Sequence, residues 1–275
     1  MAGAFLRRFE EQGHACLCRD LDTLDIGDRD AVMRDVRACN PGLIVNCAAY
    51  NLVDKAEQDP ETAFRANAHG PENLAFAAAE TGAFLIHFGS DYIFDGAKIP
   101  GPYDENDKPN PLNKYGASKL EGERLIRKTG VRHLILRVSW LFGNGNQNFM
   151  VKLLQWAKNP GALIVAEDEV SVPTCAGDVV AGALAALKTG LEGTWHLPNS
   201  GSASRYEWAK FVLETLNIKK QLTPGRMADF NLPARRPGFS VMTNTAISRE
   251  LKITVPHWSE SVKKFLETKF NGENI

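Results

Sequence analysis

The sequence has no long apolar run and no excess of charge of one sign. Its 275 residues contain 32 Lys and Arg against 33 Asp and Glu, so little positive charge is left to neutralise a nucleic-acid backbone or an anionic membrane. The longest apolar runs, such as residues 84–88, fall far short of the roughly 20 residues that a membrane helix needs. Residues 1–8 lack the basic and then apolar order of a secretory signal. We therefore expect a cytoplasmic protein with neither nucleic acid nor membrane as its partner.

Cysteine and histidine are sparse and scattered. The five cysteines form no C-x-x-C pair, and the six histidines have no close ligand spacing. A disulfide framework and a zinc site are therefore not expected. Mg²⁺ can be bound by carboxylates and water without a local motif, so it stays a candidate ligand to which the sequence assigns no residue.

What the sequence does contain is a regular alternation of short apolar runs and amphipathic stretches of helix length. With 44% apolar residues the chain can bury a full core. The alternation is typical of an α/β fold with a doubly wound parallel sheet, Rossmann-like in type. The predicted strands are 14–19, 43–47, 84–88, 133–138, 162–166 and 193–197. The predicted helices between them lie near 28–39, 60–81, 111–129, 149–158 and 175–189.

The pattern changes after Pro198, which predicts a second and smaller unit. We expect a dinucleotide-binding domain over 1–145, its sheet continued by 162–198, and a substrate-binding lobe over 199–275, to which 146–160 and 167–175 contribute. Ligands of doubly wound sheets bind beyond the carboxyl ends of the strands. The smaller lobe would close a cleft at that edge.

A tyrosine and a lysine four residues apart carry the strongest chemical signal. Tyr115 and Lys119 lie in a predicted helix, and residues at i and i+4 share one helix face. A fixed ammonium can stabilise a phenolate and lower its pKa from about 10, so the pair could exchange a proton with a carbonyl or alcohol oxygen. The same spacing also occurs on ordinary solvated helix faces.

Ser90 supplies the context for that pair. It lies two residues after the predicted strand 84–88 in the segment Phe88-Gly-Ser-Asp-Tyr-Ile-Phe-Asp-Gly96, at the sheet edge where cofactors bind. Its hydroxyl could hydrogen-bond the oxygen that Tyr115 protonates, although a serine here could also be only a turn residue. Ser90, Tyr115 and Lys119 in this order indicate hydride transfer.

Several longer segments resemble one family of enzymes. They are 45–57, 90–96, 110–119, 136–143, 148–149, 173–174, 193–196 and 236–240. Together they resemble the extended short-chain dehydrogenases/reductases and, among these, the dTDP-4-dehydrorhamnose reductases. The resemblance implies transfer of hydride from NADPH or NADH to C4 of dTDP-4-dehydro-6-deoxy-L-mannose, which gives dTDP-L-rhamnose.

The resemblance also implies roles for individual residues. Tyr115 would be the proton donor, Lys119 would lower its pKa and hold the nicotinamide ribose, and Ser90 would bind the substrate oxygen. The implied substrate contacts are Ser90, Asp91 and Trp140 at the sugar, and Asn148, Phe149 and Arg236 at the nucleotide. A guanidinium suits a diphosphate. A core position for Trp140 and a surface ion pair for Arg236 are the alternatives.

The cofactor contacts are divided between several segments. Asp20, after the predicted strand 14–19, could bind the adenosine ribose of NAD, whereas Arg19 could bind the 2′-phosphate of NADP, so the choice stays open. The resemblance implies further contacts at Asp25, Ile26, Ala49, Tyr50, Asn51 and Asn67. A local helix kink is the alternative for Asn67.

The amino-terminal segment departs from the family pattern. A dinucleotide-binding fold should begin with an apolar strand and a glycine-rich turn, but a helical pattern begins within a few residues of Met1. We expect that first strand and the glycine turn to be missing, with Met1, Ala2 and Gly3 left as the pyrophosphate contacts. An internal start, an omitted amino-terminal stretch and a lost cofactor site are the three explanations, in order of preference.

Two other functions stay open at this point. One is a non-catalytic binding subunit similar to the regulatory subunit of methionine adenosyltransferase, which the missing glycine turn favours. The other is a reductase or epimerase for a different nucleotide sugar. A second departure, Glu169 where the family usually has glutamine, affects the substrate loop. A homodimer is the expected assembly.

Overall fold

The computed structural model of the chain describes residues 1–98, 101–145 and 148–270, so residues 146–147 and 271–275 of the predicted lobe lie outside the described residues. The strands are β1 (Leu43–Asn46), β2 (Phe84–Ser90), β3 (His133–Val138), β4 (Leu141–Phe142), β5 (Leu163–Ala166), β6 (Val170–Ser171), β7 (Thr174–Cys175), β8 (Gly193–His196), β9 (Ala203–Ser204) and β10 (Leu222–Gly225). The helices are α1 (Ala2–Glu11), α2 (Arg29–Cys39), α3 (Val53–Gln58), α4 (Pro60–Phe64), α5 (Gly70–Thr81), α6 (Lys114–Lys128), α7 (Phe149–Ala157), α8 (Ala176–Thr189), α9 (Arg205–Thr215), α10 (Thr245–Leu251) and α11 (Trp258–Phe270).

The main sheet has four parallel strands in the order β1-β2-β3-β8. Its strands are short apolar runs that are buried on both faces, as parallel sheets require. One face packs on Phe5 of α1 and on α8 and α10, and the other face packs on α2, α5 and α6. The predicted doubly wound α/β fold is confirmed.

Residues 14–19, which were predicted as a strand, form none. They are mostly exposed and make no ladder hydrogen bonds, and Leu17 is 67% exposed. A strand needs a hydrogen-bonding neighbour, and among the described residues β1 pairs only with β2. Residues 14–19 do not pair with the other edge of β1, and no other described strand lies beside them.

The strand predicted at 162–166 exists as β5, but its place in the main sheet was wrong. β5 pairs with β10 in a separate two-stranded parallel sheet. Leu163 and Val165 pack with a second apolar cluster around the fully buried Trp208. That cluster joins α7, α9 and α11, so β5 is held where its apolar side chains can be buried. The division into two domains stays a prediction.

Two local features position the helix that carries Tyr115 and Lys119. Asn113 caps α6 by accepting a hydrogen bond from the Gly116 backbone N–H at 2.7 Å, so the helix begins three residues after the predicted position 111. The predicted helix over 60–81 contains a π-helical turn, Arg65–His69, where Asn67 is fully buried. Gly122 allows close packing there, because a Cβ atom would overlap the Asn67 carbonyl oxygen.

No helix within residues 1–98, 101–145 and 148–270 is long and apolar enough to cross a membrane.

Candidate functional site

The three predicted catalytic residues meet at the carboxyl edge of the main sheet. Ser90 is the last residue of β2, and Tyr115 and Lys119 lie in the first two turns of α6, which packs against β2. Asn51 follows β1 at the same edge, and its Oδ1 accepts a weak hydrogen bond from the Tyr115 hydroxyl at 3.5 Å. The fold therefore brings together residues that are up to 68 positions apart in the sequence, from Asn51 to Lys119.

Tyr115 keeps its proton in this structure. Burial raises its pKa to about 12, while a hydrogen bond from the Ser90 hydroxyl acts in the opposite direction and the charge of Asp91 adds to the rise. Its ring lies edge-on to Tyr92, with the ring centres 5.8 Å apart. The Tyr115 phenol is therefore protonated at neutral pH, and its ring is packed against Tyr92, so it can act as a positioned proton donor.

Lys119 lies in the same buried region but is bound elsewhere. It is 3% exposed, and its Nζ donates to the Phe88 carbonyl oxygen at 2.6 Å. Burial lowers its pKa to about 8, against the carboxylate of Glu123. Lys119 is not among the groups that set the pKa of Tyr115. The predicted lowering of the Tyr115 pKa by Lys119 is therefore absent here. The Lys119 ammonium is bound to the Phe88 carbonyl, and burial is the largest influence on the Tyr115 pKa.

Ser90 and Asp91 form a buried hydrogen-bond network. The Ser90 hydroxyl accepts from the Tyr92 backbone N–H at 3.1 Å and donates to Asp91 Oδ1 at 3.3 Å. Asp91 Oδ2 accepts from the hydroxyls of Ser171 and Ser240, at 2.8 and 2.6 Å. Burial raises the Asp91 pKa to about 6, although both serines and Arg205 act to lower it. The Ser90 hydroxyl has a single proton, which can turn toward Asp91 or toward a ligand oxygen.

The sequence analysis missed a buried ion pair beneath the site. Glu123, one turn after Lys119, is fully buried and bound by two guanidinium nitrogens of Arg137, with Nη2 2.8 Å from Oε2. Arg137 Nη1 also lies 3.2 Å from Nε2 of the buried His196. The sequence signal that could have revealed this pair is Arg137 itself, because a charged residue inside the apolar strand β3 needs a buried partner of opposite charge.

Trp140 was predicted to stack on the sugar, but its ring face is already occupied. The Arg205 guanidinium lies 3.5 Å from the ring centre, and Trp208 stacks at 5.8 Å. Trp140 is 9% exposed and its Nε1 has no partner among the described residues. Its backbone is held at φ 39°, a conformation that is rare for a bulky residue. Trp140 is therefore a rigid wall and not a free stacking surface.

The predicted nucleotide contacts also have protein partners. Arg236 forms a two-pronged ion pair with Asp54, with Nη2 2.7 Å from Oδ2. Asn148 caps α7 and donates to the carbonyls of Gly143 and Gly145, and its contact with the nucleotide stays a prediction. Phe149 packs on Trp208 with ring centres 4.8 Å apart.

Among the predicted cofactor contacts, Asn67 supports the loop after β1 and cannot reach a ligand itself. Its Oδ1 accepts from the Tyr50 backbone N–H at 2.8 Å, and its Nδ2 donates to the Tyr50 carbonyl and to the Ser118 hydroxyl. Both polar side-chain atoms of Asn67 thus have hydrogen-bond partners within the protein, and the residue is 0% exposed. Ala49 and Tyr50 are partly exposed and Asn51 is exposed, so they remain accessible at the sheet edge.

The residues predicted for the adenosine end form turns. Asp20 is exposed and makes a turn with Thr23, so it does not end a strand. Asp25 pairs with Arg65 at 2.6 Å, and Ile26 accepts a hydrogen bond from Asn73. Arg19 pairs with Asp35 at 3.1 Å. Asp20 and Arg19 thus both have protein partners, and the choice between NAD and NADP stays open.

Residues at two places in the site suit a dinucleotide cofactor. Lys119 makes one hydrogen bond with described residues, which leaves two N–H donors for ribose hydroxyls. The start of α1 has no side-chain cap, and a Cβ atom at Gly3 would meet nothing within 4 Å. Met1 is partly exposed, and Ala2 and Gly3 are exposed. The backbone N–H groups of Ala2 and Gly3, at the uncapped start of α1, suit a phosphate, so the residues fit at both ends.

No group of three or more His, Cys, Asp or Glu side chains in residues 1–98, 101–145 and 148–270 is placed to hold a metal ion. The magnesium ion suggested by the family stays a prediction.

Comparison with known proteins gives the family. The family model described as RmlD substrate binding domain matches residues 1–270. A dTDP-4-dehydrorhamnose reductase of Sinorhizobium fredii is 37% identical over 256 residues, which are 88% of this chain and 85% of the relative.

Two solved structures have the same fold. A dTDP-4-dehydrorhamnose reductase of Clostridium acetobutylicum superimposes with a TM-score of 0.93 at 32% identity, covering 96% of this chain and 94% of that one. The enzyme of Bacillus anthracis, solved in complex with NADP, gives 0.91 at 31% identity, covering 96% and 95%. The chain therefore belongs to the RmlD substrate binding domain family, within the reductase group that its sequence motifs indicated.

Proposed function

We propose that this protein reduces the C4 keto group of dTDP-4-dehydro-6-deoxy-L-mannose to give dTDP-L-rhamnose, with NADPH as the hydride source. The observation that carries the proposal is the meeting of Ser90, Tyr115 and Lys119 at the carboxyl edge of the sheet. The family relatives named above are the second support.

The chain's own residues would handle the proton. The dinucleotide, when bound, supplies a hydride to C4. Ser90 would orient the keto oxygen by turning its hydroxyl proton from Asp91 toward it. Tyr115 would then transfer its phenolic proton to that oxygen, so that the ketone becomes an alcohol and the phenolate regains a proton from solvent. Since the pKa of Tyr115 is about 12, a nearby cation must stabilise the phenolate when it forms.

Lys119 would provide that stabilisation once its Nζ turns from the Phe88 carbonyl toward Tyr115, a contact that is not made in the structure without ligands. Its pKa of about 8 leaves it mainly protonated at neutral pH, and its Nζ would also hold the nicotinamide ribose. Ala49 and Asn51 would line the ribose side, and the free N–H groups of Ala2 and Gly3 would meet the pyrophosphate. Asp20 and Arg19 leave NADH as the alternative reductant.

The test is oxidation of NADPH with the dTDP-keto-sugar by the wild-type protein and by Tyr115→Phe. We expect the variant to lose about 10²- to 10⁴-fold in rate, because it lacks the proton donor. An unchanged rate would refute the acid role of Tyr115. If the wild-type protein binds the nucleotide sugar but oxidises no NADPH, the reductase proposal fails and the binding-subunit alternative takes its place.

Several features rest on the sequence and the family alone. A cytoplasmic location and a homodimer are proposed on those grounds. So is the division into a dinucleotide-binding domain over 1–145 and a substrate lobe over 199–275.

A further inference from the structure

Arg205 is a largely buried cation that is close enough to Asp91 to act on its pKa and that the proposed mechanism does not use. It is the first residue of α9, and its Nε donates to Glu169 Oε2 at 3.1 Å. Its backbone N–H also donates to the Glu169 carbonyl oxygen at 3.1 Å. The other carboxylate oxygen, Glu169 Oε1, accepts from the Tyr92 hydroxyl at 2.9 Å. Arg205 is thus linked through Glu169 and Tyr92 to the ring of Tyr115.

Aromatic rings fix the plane of the guanidinium. Its central carbon lies 3.5 Å from the centre of the Trp140 ring and 5.2 Å from that of Phe149. Stacking of this kind orients an arginine and leaves its N–H edge available. A hexose placed with its keto oxygen at Tyr115 would therefore meet this edge where the sequence had predicted the Trp140 face.

The unused donors of Arg205 favour a ligand with several oxygen atoms. A guanidinium has five N–H groups, and the described residues accept a hydrogen bond only from Nε. The side chain is 19% exposed, so the terminal amino groups are accessible. The carboxylates of Asp91 and Glu169 are close enough to act on each other and on Arg205, and they offset its charge. Such a site suits the neutral hydroxyl groups of a sugar better than a diphosphate.

We propose that Arg205, held in place by Glu169 and Trp140, binds the sugar of the substrate by hydrogen bonding to hydroxyl groups of the hexose. This inference rests on the proposed function, because it needs a nucleotide sugar in the cleft. It names a binding residue, and it assigns Glu169 the role of positioning that residue.

Calorimetric titration with dTDP-L-rhamnose and with dTDP alone tests the inference, and neither titration needs the cofactor. In Arg205→Met the aliphatic side chain can still cover Trp140, but the donors are gone. We expect its Kd for dTDP-L-rhamnose to rise about 10- to 100-fold, with Kd for dTDP within about twofold of the wild-type value. Arg205→Lys, which keeps the charge without the planar fork, should fall in between.

The controls separate the alternatives. Lys210→Met removes an exposed cation from the same helix and should leave both Kd values unchanged. Glu169→Gln retains an acceptor for Tyr92. It should raise the Kd for dTDP-L-rhamnose and leave the Kd for dTDP unchanged. Equal weakening of both ligands by Arg205→Met would make Arg205 a phosphate contact, and no weakening would make it a packing residue. Either result overturns the inference.

The same titrations separate this inference from the proposed function. If wild-type protein shows the expected binding pattern but oxidises no NADPH, the function fails while the sugar contact stands. If the protein is an active reductase and Arg205→Met binds normally, only the contact fails. Thermal unfolding of each variant verifies that it is folded.

Discussion

At the scale of single residues, burial has the largest effect on the chemistry of the site. Burial raises the pKa values of Tyr115 and Asp91 and lowers that of Lys119. All three shifts disfavour the charged form, as expected for groups taken out of water. Burial therefore acts against charge throughout the site, although Lys119 and Asp91 remain mainly charged at pH 7 and only Tyr115 is neutral there.

The shift at Asp91 predicts an unusual pH dependence of stability. Its pKa is raised to about 6 from the usual aspartate value of 3.8, so between those values the folded chain holds a proton that the unfolded chain lacks. The contribution of Asp91 to the free energy of unfolding should therefore increase as the pH falls through 6. Relative to Asp91→Asn, the wild-type protein should gain about 1 kcal/mol between pH 7 and pH 5.

Urea unfolding of both proteins at the two pH values measures this gain. Asparagine keeps an acceptor for the Ser171 and Ser240 hydroxyls but cannot titrate. An equal free-energy difference between the two proteins at pH 7 and pH 5 would mean that Asp91 has an ordinary pKa.

At the scale of elements, α6 is the part of the fold that most needs close packing. Gly116 and Gly122 let this helix approach backbone atoms, because Cβ atoms there would overlap the carbonyl oxygens of Tyr92 and Asn67. Asn67 in turn holds the Tyr50 backbone through two hydrogen bonds. The helix with Tyr115 and Lys119 and the loop with Asn51 are thus packed as one unit.

This packing predicts opposite effects for two helical glycines. Gly122→Ala should destabilise the protein by about 1 to 3 kcal/mol, because the Asn67 carbonyl is backbone and cannot turn away. Gly177→Ala in α8 is the matched control, since its Cβ would meet only the Cys175 Sγ at an ordinary 3.7 Å. It should be neutral or stabilise by up to about 1 kcal/mol through helix propensity. Denaturant unfolding compares them, and a stabilising Gly122→Ala would contradict the packing argument.

At the scale of the whole molecule, one ion pair joins distant parts of the chain. Asp54 in α3 accepts two hydrogen bonds from Arg236 and one from the Ala234 backbone N–H. Burial acts to raise the pKa of Asp54, but the hydrogen bonds from Arg236 and Ala234 outweigh it and lower that pKa. The stabilisation is therefore present at neutral pH and is lost as the pH falls below the usual aspartate range.

A double-mutant cycle should reveal this link. With Asp54→Asn, Arg236→Gln and the combined variant, we expect a coupling free energy of about 1 to 2 kcal/mol in urea unfolding at pH 7. The exposed pair Arg132–Glu192, at 2.8 Å, serves as control and should give less than about 1 kcal/mol. Equal coupling in both pairs would mean that the Asp54–Arg236 contact is an ordinary surface pair.

Local patterns were enough to predict the strands β1, β2, β3 and β8 and most of the helices, and the family model matches residues 1–270. The same patterns singled out Ser90, Tyr115 and Lys119, which the fold places at one edge of the sheet and whose catalytic roles stay a prediction. An apolar run or an i, i+4 spacing is a property of neighbouring residues, and it survives in any fold that buries the same face.

The remaining features depend on partners that are distant in the sequence. Residues 14–19 form no strand because they have no hydrogen-bonding neighbour, and β5 joins β10 because its apolar side chains are buried beside Trp208. In the same way, Lys119 binds the Phe88 carbonyl, and Arg205 covers Trp140. Hydrogen bonding and burial act through space, so these partners were established only when the chain had folded.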